Sequence, residues 1–241
     1  MIGWRARIGF LVPPGNPTVE PEMTELAPKG VSVHFTRMDA SGPAGTHSGQ
    51  TERNLSQVAS VPAASKLLAM LSPNVIVMAH TATSYTIGKA REAELVKQVE
   101  TETGTRFITA FGSALAAFEH LGIRRIGYAT PYGEDVTLEG KAHFEAHGVE
   151  VPRYARLEGV RNIYEETPER AYMAGRQAYV EGVDAVFLSG VGMPTLAALQ
   201  QLENDIGKPV LSAAGCMMWN ALRIAGIHEP RPGYGRLYAG L

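Results

Sequence analysis

The chain has 241 residues, 45% hydrophobic and 19% charged, with a formal net charge of −2; that suits one large domain or two small lobes around a substantial core. Without a basic patch interleaved with aromatics the composition argues against a nucleic-acid partner, and no apolar run reaches the ~18 residues of a membrane helix. MIGWRA leads into a strand without a signal-peptide pattern, and the single cysteine, Cys216, leaves no internal disulfide, so a cytoplasmic setting is expected.

Short β-rich runs alternate with helical stretches. RIGFLV (7–12) reads as a strand, and PPGNPTVEPEM after it as a helix start, with Asn16 as N-cap and Pro17 at the first helical position. VSVHFTRM (31–38) alternates as a second strand, and apolar groups recur at helical spacing over 55–71. NVIVMA (74–79) is a continuous apolar run, as in a strand covered on both faces. A helix through REAELVKQVE, a strand RFITAF (106–111) and a helix SALAAFEHLG ending on Gly122 follow. Next come the strand RRIGYAT (124–130), a helix stopped by Gly148, the weak strand VEVPRYARL and the helix EETPERAYMAGRQAYVEG. The strand DAVFLSG (184–190), the helix PTLAALQQLENDIG, the strand PVLSA and the helix GCMMWNALRIAG complete the order. Alternation of this kind predicts parallel sheets built from βαβ units.

An internal repeat sharpens the expectation. RIGFLVPPGNPTVE begins at Arg7 and RIGYATPYGEDVTLE at Arg125, 118 positions later; VIVMAHTATSYTI matches AVFLSGVGMPTLA, which sets Met78 against Leu188 at an offset of about 110. Two copies of one α/β unit make a pseudo-symmetric pair, with the carboxyl ends of their strands facing across a cleft where ligands of such sheets bind. The turns collected there carry Asn16, His80, Tyr132, Asn162 and Gly190-Val191-Gly192.

Within VMAHTATSY (77–85) a core strand ends on a titratable ring, His80, followed by Thr81, Thr83 and Ser84. His80 stands where a strand hands over to a ligand-facing turn, although a histidine capping a helix is the plainer alternative. Asn16 before proline is explained by capping alone, and a cap side chain at a cleft can also meet a carboxylate. Thr83 and Ser84 can be caps of the next helix. His143 and His147 stand at i, i+4 without the glutamate of H-E-x-x-H, so no metal site is read there. His47 lies in a Gly/Ser-rich loop, where a solvated residue is the simpler reading. Gly190-Val191-Gly192 lacks the third glycine of a dinucleotide fingerprint and reads as a tight oxyanion turn. Cys216 reads as a packed core thiol.

IGFLVPPGNPTVE, the turn after VMA, YATPYGEDV, LSGVGMP and RPGYGRL, taken in order from Arg5 to Leu237, resemble the aspartate/glutamate racemase superfamily, in its maleate isomerase and arylmalonate decarboxylase branch. The resemblance implies an α/β fold of two pseudo-symmetric lobes, each a parallel sheet with flanking helices, with the active site in the cleft between them. Residues 1–111 with 214–241 are expected to form one lobe and 112–213 the other. It further implies chemistry without a cofactor or metal on a small mono- or dicarboxylate. Family cysteines at the two symmetry-related strand ends correspond to His80 and Gly190, so both are absent, and Cys216 lies away from either turn.

Decarboxylation makes the smallest demand on what is left. One carboxylate loses its solvation while donors stabilise the enediolate as CO2 leaves, and an oxyanion donor contributes on the order of 3 kcal/mol. Thr81, Tyr132 and backbone near Pro14, Ala82 and Val191–Gly192 are candidate oxyanion donors, with Asn16, Asn162 and Gly190 also in the substrate-binding set. His80 is the candidate acid/base. A maleate-isomerase-like or hydrolytic enzyme and a silent carboxylate-binding homologue are the alternatives. The apolar helix faces leave room for a homo-oligomer.

Overall fold

The computed structural model describes residues 2–240. Its first four strands, β1 (Ala6–Val12), β2 (Val31–Arg37), β3 (Val75–Met78) and β4 (Phe107–Thr109), form a parallel sheet in the order β2-β1-β3-β4. The next four, β5 (Arg125–Thr130), β6 (Glu150–Arg156), β7 (Ala185–Leu188) and β8 (Val210–Ser212), repeat it as β6-β5-β7-β8. Register confirms the repeat: Leu11 faces Met78 in one sheet and Ala129 faces Leu188 in the other, so the matched positions are those the sequence offsets pair.

The helices are α1 (Val19–Leu26), α2 (Gln50–Ala69), α3 (Thr81–Thr103), α4 (Ala110–Leu121), α5 (Glu134–Glu145), α6 (Pro168–Ala178), α7 (Leu196–Ile206), α8 (Ala213–Ile224) and the short α9 (Arg236–Ala239). α4 and α8 start alike, for Thr109 and Ser212 each accept an amide N–H three residues on, from Gly112 and Gly215. α1 begins two residues later than the sequence suggests. Pro17 lies outside it, yet Asn16 performs the capping, its Oδ1 accepting from the amides of Thr18 (2.8 Å) and Val19 (2.9 Å).

Period-2 alternation decides the layers. Ile8, Phe10 and Val12 of β1, with Val75 and Val77 of β3, face a core that continues through both sheets, while Leu11, Ile76 and Met78 pack outward with Val58, Val61 and Leu68 of α2 and Leu95 and Val99 of α3. The glycine of each RIG copy admits a close neighbour. A Cβ on Gly127 would stand 2.4 Å from the Ala178 carbonyl oxygen, and one on Gly9 3.1 Å from Leu68. Among the described residues no helix is long and apolar enough to cross a membrane.

Candidate active site

Four strand ends converge from the two sheets: the turns after β1, β3, β5 and β7. Asn16 Nδ2 donates to the Val191 carbonyl (3.1 Å) and Thr18 Oγ1 to that of Gly192 (2.9 Å). Thr81 Oγ1 meets the Tyr132 hydroxyl at 2.9 Å. Ser189, the last residue before Gly190, holds the Tyr85 hydroxyl at 2.9 Å and lies 3.5 Å from Thr81 Oγ1. A chain of hydroxyls, Tyr85–Ser189–Thr81–Tyr132, thereby crosses from one unit to the other. Burial pushes the Tyr132 phenol well above its ordinary range, so it is a neutral donor.

His80 has extended backbone (φ −156°, ψ 109°) at the N-cap of α3, 5% exposed, with Nδ1 2.5 Å from Thr83 Oγ1. Burial lowers the ring's pKa to about 4, and the Arg53 guanidinium adds to the shift. The ring is therefore neutral at pH 7. Thr83 is buried against it, and Ser84 instead donates to Glu92 (2.7 Å).

At the matching position of the second unit Gly190 has φ +92°, a conformation that favours glycine. A Cβ there would stand 2.8 Å from Pro131 Cγ and Cδ. No side chain fits without moving that turn. Cys216 is fully buried in α8, and burial pushes its thiol far up.

Ala82, Val191 and Gly192 are buried at the convergence, whereas Pro14 is exposed at the rim. Pro14 has no N–H, and its carbonyl accepts from Arg37 (3.3 Å). Asn162 is half-buried and reaches the rim indirectly. Its Oδ1 accepts from the Tyr164 amide (2.9 Å) at a 3₁₀ turn, its side chain packs on Gly45, and the Tyr164 ring lies over Gly15 and Gly192.

His47 is not a solvated loop residue. Its Nε2 donates to the Pro131 carbonyl (2.8 Å), bringing the loop before α2 across to the turn after β5. His143 and His147 are occupied by the fold: His143 Nε2 lies 3.3 Å from Glu92 Oε2, and His147 Nδ1 donates to the His143 carbonyl (2.8 Å). Among the described residues no group of three His, Cys, Asp or Glu is placed to hold a metal.

Sequence reading missed Ser189, Tyr85 and Arg53. The signal for Arg53 is in α2, where Gln50, Arg53, Asn54 and Gln57 occupy the stripe that Val58, Val61 and Leu68 continue as core.

Two repeated parallel-sheet units whose strand-end turns meet at a buried polar site define a class of α/β proteins. Residues 8–238 match the arylmalonate decarboxylase family model, and the chain belongs to that family. It is 30% identical over 242 residues to an arylmalonate decarboxylase from Bordetella bronchiseptica, covering 96% of this chain and 95% of that one. It is 28% identical over 252 residues to a maleate isomerase from Alcaligenes faecalis, covering 98% and 97%. A solved Nocardia farcinica maleate cis-trans isomerase, a cysteine-to-serine mutant with a covalently bound succinylcysteine intermediate, superposes with TM-score 0.88 at 27% identity, covering 97% of this chain and 98% of that one.

Proposed function

We propose that the chain is a cofactor-independent enzyme acting on a small carboxylic acid, a decarboxylase-like lyase that works through an enediolate with His80 handling the proton. One observation carries the reading: a buried, neutral His80 held by Thr83 beside the Thr81–Tyr132 pair, in a chain whose one cysteine is sealed in α8. Gly190 leaves no space for a thiol at the opposite turn, so a thiolate at either strand end plays no part in this chemistry.

In this reading a malonate-type dianion places one carboxylate at the α3 N-terminus, near Thr81, Tyr132 and the backbone of Ala82 and Val191–Gly192. These donors gain most as charge develops there. The other carboxylate leaves as CO2, and its bonding pair becomes the enediolate. The α-carbon then takes the proton of His80 Nε2, while Nδ1 takes the hydroxyl proton of Thr83. The ring changes tautomer and never becomes a cation, which suits a site that disfavours the imidazolium. An enediolate is a far stronger base than an alkoxide, so the relay runs downhill, and water returns the proton to Thr83.

A second reading is cis–trans isomerisation of an unsaturated diacid, favoured by similarity to maleate isomerases over nearly the full chain. Neutral imidazole would then have to add to the double bond in place of a thiolate.

Proton NMR in D2O, with substituted malonates, maleate and maleamate, tests the proposal on the wild type and His80→Ala. Expected is a monoacid carrying deuterium at its α-carbon, formed at least ~100-fold more slowly by the variant, since positioned acid–base groups contribute 10²–10⁴-fold. Fumarate would move the assignment to isomerase and ammonia release to hydrolysis. Full activity in the variant would remove His80 from the chemistry, and no conversion of any acid would leave a carboxylate binder.

A further inference from the structure

The face of α2 turned toward the site is polar where a core helix should be apolar. Gln50, Arg53, Asn54 and Gln57 are all buried, and the i, i+3, i+4, i+7 spacing puts them on one stripe. Asn54 fixes where that stripe points. Its Nδ2 donates to the Ala82 carbonyl (3.3 Å) and to Thr86 Oγ1 (2.9 Å), within the first turns of α3, two residues from His80.

Arg53 is 6% exposed, and among the described residues no carboxylate pairs with it. Its guanidinium donates to the carbonyls of Thr46 and Ser48, which uses two of its five N–H groups. A buried cation without a counter-ion is costly, and buried charges are ordinarily paired. A buried guanidinium that keeps free N–H groups and has no carboxylate within pairing distance describes a subsite for an anion. The cation also acts on His80, since it contributes to the lowering of that ring's pKa.

We propose that Arg53 binds an anionic group at the remote end of the substrate, so that the substrate carries a further, distal carboxylate beyond the malonate pair rather than an aryl group. This rests on the acid-processing reading of the same site and narrows it. An aryl substituent would leave the remaining Arg53 N–H groups without an acceptor. A carboxylate instead accepts the free guanidinium N–H groups in a bidentate pair. The distal carboxylate is also not the one lost. An ion pair with Arg53 would stabilise the ground state of a departing carboxylate and slow its loss.

Isothermal titration calorimetry on the full chain tests this with succinate, glutarate and their monomethyl esters, on the wild type, Arg53→Gln and Arg53→Lys. Expected is a preference of about tenfold or more for each diacid over its monoester in the wild type, in line with a charge-assisted bidentate pair. The preference should vanish in Arg53→Gln, while monoester affinity stays within about twofold, and be partly retained in Arg53→Lys. Wild-type protein that binds diacid and monoester equally overturns the subsite and leaves the acid reading standing, with no variant needed. A parallel loss of both ligands in Arg53→Gln also overturns it, because that is what a mere staple of the 46–48 loop would give. Failure of all four probes to bind wild type overturns the subsite together with the acid reading.

Discussion

His80 sets the pH behaviour of the proposed chemistry. Its folded pKa of about 4, against an ordinary value of 6.5, means the neutral form carries the reaction. The expected kcat/KM profile is therefore flat from pH 8 down to about 5, with an acid limb near 4. A limb near 6.5 would show a ring that charges freely, contradicting its burial and the charge of Arg53 that lower its pKa. The limb should disappear with the residual activity of His80→Gln. Thr83 deepens the argument, because the relay needs its hydroxyl. A neutral ring held by Nδ1 can offer a proton at Nε2 only if Nδ1 regains one.

At the scale of elements, the two copies invite a comparison within one molecule. Thr109 and Ser212 cap α4 and α8 in matching places, but Thr109 Oγ1 also donates to Glu92 Oε1 at 2.6 Å. Loss of the cap alone, in Ser212→Ala, should cost about 1 kcal/mol. Thr109→Ala should cost visibly more in urea melts, because Glu92 is buried and loses one of the donors that hold its carboxyl below the usual range. Equal costs would mean that the Glu92 contact adds nothing. The strands and their pairing were legible because continuous apolar runs such as VIVM and the two RIG copies are backbone statements that survive in sequence. The turn residues His80, Thr81, Tyr132 and Gly190 were legible for the same reason, since strand ends are where the repeat breaks. Arg53 was not, because its stripe continues a normal core helix and only Asn54's bond to Ala82, 28 positions away, shows what the stripe faces. Ser189 was hidden similarly, as a lone serine whose partners Tyr85 and Thr81 lie more than 100 positions earlier. His47 misled because a Gly/Ser-rich loop reads as solvated until its bond to Pro131 is seen.

At the scale of the whole molecule the two units share one core, and a buried carboxylate ties them on the side of α1 and α7. Glu22 Oε1 accepts the amide N–H groups of Thr195 (2.7 Å) and Leu196 (3.0 Å), while Oε2 is buried without a partner. Burial pushes its pKa up to about 7, the two amides pulling the other way without prevailing. A carboxyl raised from 4.5 to about 7 binds its proton more tightly in the folded chain. Its stabilising contribution is thus complete below pH 4.5 and is lost as pH rises toward 7 and beyond. His80 runs the opposite way, its contribution being complete above 6.5 and lost as pH falls through 4. Each spans on the order of 3 kcal/mol, so between pH 4.5 and 6.5 the two slopes oppose and the wild type should show a shallow stability profile. Glu22→Gln keeps an acceptor for the two amides and removes the charge. It should therefore raise stability at pH 8 by about 1–3 kcal/mol and leave it unchanged at pH 4.5, as read from urea midpoints at both values. With the glutamate gone, the His80 slope stands alone, and stability should climb steadily from pH 4 to 6.5. A Glu22→Gln variant less stable at pH 8 would mean that the ionised carboxylate on the α7 N-terminus holds the units together more strongly than its burial opposes.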